Sequence, residues 1–393
     1  MGAFQALLDL SDEEKAEQGI EHTPREIAQQ PETWKAAAAN LRARRDEIVG
    51  FMESTGLRGK GDATLMLTGA GTSEFVGNSV VNVLRSGLKR DVHSIATTHF
   101  VTHPGAYFVP GRDYVLLSFA RSGNSPESVA TYRKVLDVCP EVGQLVVTCN
   151  PDGELAKVAA VDGNAYCLLM PPETNDKSLV MTSSFSTMAF SALGLTMLDD
   201  LDRLDALADA VGQAARRVMG EYGDTIKTFA DRSFTRACFL GSNALFGTMQ
   251  ECHLKMQEMT EGQIACAFDS FLGLRHGPQV FAGDDCIIIA ALSTDPYVQK
   301  YELDLLREMK AKRQGAGTLV ICDQLTDEIR RVCDDAIELF PDGGAVSDDH
   351  RVMTDVVVGQ VLGTFTSLKV GLKPDNPSVS GTINRVVQGV VIY

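Results

Sequence analysis

Two stretches of small and hydroxyl-bearing residues stand out for the chemistry they can do. Gly69-Ala70-Gly71-Thr72-Ser73 and Ala120-Arg121-Ser122-Gly123-Asn124-Ser125-Pro126 each follow an apolar run and precede a helical pattern. In the second, Tyr114 to Phe119 leads into the loop, and Pro126 opens a helix carrying Val129, Tyr132, Arg133 and Leu136. Ser125 then falls at the N-cap, with proline at the first helical position. The unpaired backbone N–H groups of such a helix start, the positive end of its dipole and the hydroxyls of Ser122 and Ser125 can jointly hold a dianion without a buried lysine. Arg121 is placed to add a charged donor. The same residues can also do no more than cap a helix, but two such turns in succession point to a phosphorylated small molecule.

A second group of candidates lies further along the chain. Lys255 and Glu258 are three residues apart on an expected helix, Ala244 to Thr260, so their side chains share a face among mostly apolar neighbours. Apolar surroundings raise a carboxylate's proton affinity and a neighbouring ammonium lowers it, an opposed tuning that suits a general base. The alternative is an ordinary ion pair on a solvated face. His276, in Leu274-Arg275-His276-Gly277-Pro278, is either a surface residue or a group whose titration near neutrality suits opening a sugar hemiacetal. Ser183-Ser184-Phe185-Ser186-Thr187 opens the helical pattern Met188 to Leu198 and can bind sugar hydroxyls or cap the helix. His99 and His103 are four apart, but Phe100-Val101-Thr102 between them reads as extended and no ligand cluster follows, so no metal is assigned. Neither a G-x-G-x-x-G nor a Walker A sequence is present, which disfavours nucleotide cofactors.

These residues must be positioned by the alternation around them. Thr64 to Thr68, Tyr114 to Phe119, Leu145 to Cys149 and Ala165 to Met170 are candidate strands separated by helical patterns. That alternation predicts a parallel sheet covered on both faces. A helical stretch from Leu198 to Thr228 leads to a second unit with strands at Ala237 to Leu240, Cys286 to Leu292, Thr318 to Cys322 and Ala336 to Phe340. The halves read as degenerate copies of one α/β unit, with residues 1–50 as an N-terminal helical segment, 51–215 as the first, phosphate-binding subdomain and 216–393 as the second with the tail. In the second copy Ser293-Thr294-Asp295-Pro296 replaces the Ser-Gly-Asn-Ser loop, and its aspartate repels phosphate, so the anion is assigned to the first half alone.

Composition narrows the partners. The 393 residues are enough for two domains, each with its own core. With 36 basic and 52 acidic residues the net charge is −16, which disfavours nucleic acid and anionic membrane. Nine scattered cysteines without C-x-x-C spacing favour reduced thiols in a cytoplasmic protein. The acidic first twenty residues do not resemble a signal peptide, and no apolar run approaches spanning length.

Taken together, these motifs resemble the sugar isomerase (SIS) family, and specifically the isomerase half of glucosamine-6-phosphate synthase, over about Arg25 to Asn376. Gly71-Thr72-Ser73 matches the family's first hydroxyl-binding turn, with Ala70 where the synthase has cysteine. Ser122-Gly123-Asn124-Ser125 matches its Ser-Gly-Glu-Thr phosphate loop, with Ala120-Arg121 for a Ser-Gln pair. Phe185-Ser186-Thr187 with Ala189-Phe190 matches the sugar loop, and Arg275-His276-Gly277-Pro278 matches Lys-His-Gly-Pro. The resemblance implies two tandem flavodoxin-like subdomains, each a five-stranded parallel sheet in an αβα sandwich. It implies that Glu258 moves a proton between C1 and C2, with Lys255 stabilising oxyanion character or positioning an imine. It further implies that His276 reaches a neighbouring subunit's site in a homodimer or dimer of dimers, and that no cofactor is needed.

Two departures refine the expectation. Position 2 is glycine and no glutaminase domain is recognisable, so the chain is not expected to make ammonia from glutamine. Pro374-Asp375-Asn376-Pro377-Ser378-Val379 stands where the synthase carries its C-terminal catalytic lysine, leaving Lys373 as a weak substitute. Asp375-Asn376-Pro377 together with Asn384-Arg385-Val386-Val387-Gln388-Gly389-Val390 resembles the AgaS branch. That branch implies an isomerising deaminase for galactosamine 6-phosphate, or a plain tagatose-6-phosphate ketose–aldose isomerase; a sugar-phosphate-sensing regulator is the rival of another class. The expected arrangement is a phosphate cradle from the first half and a carboxylate from the second acting on opposite ends of one ligand.

Overall fold

Every apolar run named above forms a strand, because a parallel sheet buried on both faces calls for continuous rather than alternating hydrophobicity. The computed structural model describes residues 2–343, 346–387 and 389–393, so Gln388 of the tail motif lies outside the described residues. The first sheet comprises β1 (Thr64–Thr68), β2 (Val92–Ser94), β3 (Tyr114–Ala120), β4 (Gly143–Thr148) and β5 (Ala165–Leu169) in the order β2-β1-β3-β4-β5. The second comprises β6 (Arg236–Leu240), β7 (Ala265–Asp269), β8 (Cys286–Ala291), β9 (Gly317–Cys322) and β10 (Asp335–Glu338) in the order β10-β9-β8-β6-β7. All neighbours are parallel, with Leu67 opposite Leu117 and Leu117 opposite Leu145 in the first sheet. Written from the edge next to the first strand, the two orders are the same, which is the internal duplication anticipated from the sequence.

Two strands were not anticipated, β2 and β7. Both are edge strands: β2 is three residues long with His93 exposed, and β7 has no fully buried residue. Their hydrophobic signal is correspondingly weak. In each sheet the chain reverses its direction of growth beside the first strand, between β1 and β3 and between β6 and β8. Crevices beyond the carboxyl ends of strands at such reversals are where open α/β sheets bind ligands.

The chain divides into two compact units, each holding one sheet. The first-sheet unit is Glu32–Asp176, Ser183–Ala208 and Ile383–Tyr393, and the second-sheet unit is Met1–Pro31, Lys177–Thr182 and Asp209–Thr382. The boundaries drawn at 50 and 215 from the sequence treat the units as consecutive, whereas both are discontinuous. Packing gives the reason. Within the second-sheet unit the helices Ala3–Asp9 and Thr23–Ala28 lie against Gly223–Ala230 and Asp348–Lys369, with Phe4 fully buried. Asp375 there accepts bonds from the Thr23 amide and hydroxyl at 2.6 Å each. The expected connector resolves into two helices, Leu201–Gly220 and Gly223–Ala230.

A further correction concerns His99 and His103. The segment read as extended is the short helix Thr97–Thr102, held because Phe100 is buried in an aromatic cluster with Tyr107 and Phe108. Among the described residues no helix is long and apolar enough to cross a membrane.

Candidate functional site

In the first-sheet unit, both hydroxyl-rich turns sit at the switch point, one leaving β1 and the other β3. Gly69 is required by close packing, since a Cβ there would lie 2.4 Å from the Ser73 carbonyl oxygen. Gly71 is required by conformation, with φ 58° and ψ −127°. Thr97 ties the turn down from the other side, its amide donating to the Gly69 carbonyl at 2.8 Å. Thr72 and Ser73, the first residues of the helix Thr72–Leu88, are buried at the foot of this turn.

The loop after β3 is braced by its neighbour after β4. Asn150 Nδ2 donates to the Ser122 carbonyl at 2.8 Å, the Glu154 amide donates to Asn124 Oδ1 at 3.0 Å, and the Leu155 amide donates to the Gly123 carbonyl at 2.9 Å. Gly123 takes φ 64°. Ser122 Oγ accepts the Asn124 amide at 3.3 Å. Ser125 occupies the N-cap of Pro126–Val138 as expected, but its hydroxyl makes no cap bond and donates instead to Glu127 Oε2 at 2.6 Å. The capping alternative therefore does not account for this serine. Arg121 is buried, and its Nη2 donates to the Arg385 carbonyl at 2.6 Å, a contact with the tail that the sequence did not suggest.

The third predicted segment is placed differently. Ser184, Phe185 and Ser186 are fully buried in the helix Ser183–Gly194. Asp176 caps that helix, accepting the Ser184 amide at 2.9 Å and its hydroxyl at 2.6 Å, as well as the Ser183 hydroxyl. Ser186 Oγ accepts Trp34 Nε1 at 3.0 Å. The helix-start role weighed in the sequence reading is thus realised, with Asp176 as the acceptor.

In the second-sheet unit, the helix Ala244–Met259 carries Lys255 and Glu258 and packs tightly on Asp348–Lys369. Gly359 and Gly363 allow that approach, since a Cβ at either would come within 2.5 Å of Cys252 Sγ or 2.8 Å of Met259 Sδ. Lys255 Nζ lies 2.5 Å from Glu258 Oε2 and 3.3 Å from Glu251 Oε1. Lys255 and Glu251 are wholly inaccessible, whereas the Glu258 side chain keeps 24% of its surface. The solvated ion pair is therefore ruled out. Burial by itself would lower the Lys255 pKa, but the two carboxylates outweigh it and hold the ammonium above its ordinary value. A lysine so enclosed is placed to hold the Glu258 carboxylate in position.

Glu251 was missed from the sequence, where His253 has no context that assigns it a role. Glu251 is four residues before Lys255, within the spacing already used for Glu258. The His253 ring tilts against Phe268 at 4.7 Å between centroids, its Nδ1 is 2.7 Å from the Gln250 carbonyl, and burial lowers its pKa.

His276 is exposed on the turn after the short helix Phe271–Leu274, where Gly277 takes φ 125°. Arg275 anchors this turn by donating to Asp304 at 2.9 Å and Glu308 at 3.1 Å. Leu272 and Val280 flank it and are themselves exposed. Lys373 is exposed with its stem against Gly19.

The second switch point carries the equivalent loop, but its donors are already used. The Thr294 amide donates to Asp348 Oδ1 at 2.7 Å, and the Ser293 hydroxyl to the same carboxylate. The Ser293 amide and the Ser242 hydroxyl donate to Glu302 at 2.7 and 2.6 Å. Asp295, the residue singled out in the sequence, caps the next helix through the Tyr297 amide at 2.8 Å. At this loop the chain's own carboxylates take up the amides and hydroxyls. Burial raises the Glu302 pKa to about 7.

Two five-stranded parallel sheets of one order, with a hydroxyl-and-amide loop at the first switch point, define a protein of paired SIS domains. The chain belongs to the AgaS family of this class. It is 35% identical to the D-galactosamine-6-phosphate deaminase AgaS of Escherichia coli over 380 residues, covering 94% of this chain and 95% of that one. A Shewanella protein of the same name is 31% identical over 98% of this chain and 95% of its own. The crystal structure of tagatose-6-phosphate ketose/aldose isomerase from Escherichia coli superposes with a TM-score of 0.85 at 32% identity, covering 94% of this chain and 96% of that one. No family model matches the chain.

Proposed function

We propose that this protein is an isomerising deaminase that converts D-galactosamine 6-phosphate to D-tagatose 6-phosphate and ammonia. The observation that carries the reading is the full-length similarity to the Escherichia coli deaminase, joined to a buried Lys255 holding a partly accessible Glu258. Ser122, Gly123, Asn124 and Ser125 with their amides hold the phosphate, and Gly71, Thr72 and Ser73 face the sugar. His276, contributed by a second copy in a homo-oligomer, assists ring opening.

In the open-chain amino aldehyde, Glu258 takes the proton from C2 and returns it at C1. The nitrogen gives up a proton as O1 gains one, so an aldehyde beside an amine becomes a hydroxymethyl group beside a C2 imine of the same composition. Water then adds at C2 and ammonia leaves, giving the ketose. The substrate's own carbonyl acidifies the C2 hydrogen, and the enclosed ammonium of Lys255 keeps the Glu258 carboxylate in place throughout. No nucleic acid or membrane takes part in this scheme, and the reading places it in the cytoplasm.

Incubation of the purified protein with galactosamine 6-phosphate should release ammonia and ketose in equal amounts, and Glu258→Gln should abolish both. A second reading, isomerisation without deamination, is favoured by the name of the Escherichia coli structure. Isomerised neutral sugar phosphate with no ammonia from the amino sugar would establish that reading instead. Ligand binding with no turnover, in the wild type and in Glu258→Gln alike, would leave only a sensing role.

A further inference from the structure

The tail Ile383–Tyr393 belongs to the first-sheet unit, and one residue in it joins two segments that are far apart in sequence. The Arg385 carbonyl accepts Arg121 Nη2 at 2.6 Å, immediately before the Ser122–Ser125 loop. The guanidinium of the same residue turns the other way. Its Nε donates to the Asp176 carbonyl at 2.8 Å, and its Nη2 donates to that carbonyl at 2.5 Å and to Asn175 Oδ1 at 2.7 Å. Asp176 in turn holds the start of the helix Ser183–Gly194 through Ser183 and Ser184. Lys134, on the helix that begins at the phosphate loop, donates to the Tyr393 main-chain oxygen at 2.9 Å, so the tail is attached to this helix as well.

We propose that Arg385 is a positioning residue: it sets the phosphate loop and the Asp176-capped helix start in fixed register, one through its carbonyl and the other through its guanidinium. This rests on the reading that the Ser122–Ser125 loop holds the sugar phosphate. Charge-assisted bonds in a planar fork fix direction as well as distance, which a single lysine contact does not. Arg121, on this account, acts by presenting the loop from behind, with Arg385 as the group it grips.

The test uses the whole protein carrying Arg385→Ala, followed by hydrogen exchange and by steady-state kinetics with galactosamine 6-phosphate. Amides of residues 121–125 and 183–186 should exchange faster together while those of the second sheet do not change. KM should rise about tenfold or more with a smaller change in kcat, the size expected for losing a charged hydrogen-bonding group. Added guanidinium ion should lower KM again, and Arg385→Lys, which keeps stem and charge but not the fork, should fall between wild type and alanine. The lysine variant carries the comparison if the alanine variant does not fold. Wild-type exchange at both segments, or faster exchange with an unaltered KM, would overturn the inference while the wild type still turns over substrate. A wild type inert toward the amino sugar would remove the functional reading and this inference with it, an outcome distinct from the other two.

Discussion

Gly71 and Asn243 open the corresponding turns of the two sheets with almost the same backbone, φ 58°, ψ −127° and φ 52°, ψ −121°. The preceding glycines match as well: a Cβ on Gly69 or on Gly241 would sit 2.4 Å from the carbonyl oxygen four residues ahead. The same left-handed turn is thus kept in both copies, by glycine in one and by asparagine in the other. Non-glycine residues pay for that geometry in steric strain. Gly71→Ala should destabilise by about 1–3 kcal/mol, through conformation alone since nothing lies within 4 Å of the added methyl. Asn243→Gly should be neutral or stabilising by up to about 1 kcal/mol. Urea denaturation of both variants measures the pair, and equal losses would contradict the argument.

Lys255 Nζ lies 3.3 Å from the buried Glu251 carboxylate. Lys255→Met removes it and leaves that carboxylate enclosed, which should cost about 3–5 kcal/mol. Adding Glu251→Gln should recover a substantial part. Thermal or chemical denaturation of the single and double variants checks this, and strict additivity would show that the two side chains are not energetically linked.

Glu302 supplies a pH dependence. Its pKa is about 7 in the folded protein against 4.5 for an ordinary glutamate, raised by burial and by Asp348, and opposed by bonds from Ser242 and Ser293 and by Arg351. Between those two values the folded chain retains a proton that the unfolded chain has released. Stability from this group is therefore greatest below about 4.5, falls as pH rises toward 7 and levels off above it, by a total on the order of 3 kcal/mol. Glu302→Gln, which keeps the shape without the charge, should gain on wild type between about pH 5 and 7 and keep a constant lead above that. Parallel stability curves across that range would refute the assignment.

Ser122 should show itself in binding more than in rate. Removing its hydroxyl withdraws a donor from the proposed phosphate site and the acceptor of the Asn124 amide. Ser122→Ala should raise KM for the sugar phosphate about tenfold with kcat changed less than about twofold, the pattern of lost uniform binding. A fall in kcat at constant KM would place Ser122 nearer the reacting carbons.

Much of this was readable in the chain because its signals are local. Apolar runs such as Tyr114 to Phe119 and Cys286 to Leu292 marked central strands, and Gly69, Gly71 and Pro126 marked the turns between them. Val92–Ser94 and Ala265–Asp269 escaped notice because an edge strand need not be apolar throughout. Glu251 lay within reach of the helical spacing that singled out Glu258. The capping of Ser184 by Asp176 and the grip of Arg385 on Asp176, 209 positions away, have no local signature. Nor does the filling of the second switch point by Glu302 and Asp348, which depends on two other helices arriving there.

The polypeptide passes from one unit to the other after Pro31, Asp176, Thr182, Ala208 and Thr382. Severing it near the midpoint would leave each fragment short of pieces of its own body: the front portion would lack residues 383–393, and the rear portion residues 1–31 and 177–182. Gene truncations at the apparent repeat boundary should yield aggregating halves, while co-expressed fragments should reassemble. The ancestral duplication is therefore no longer reversible by simple cleavage.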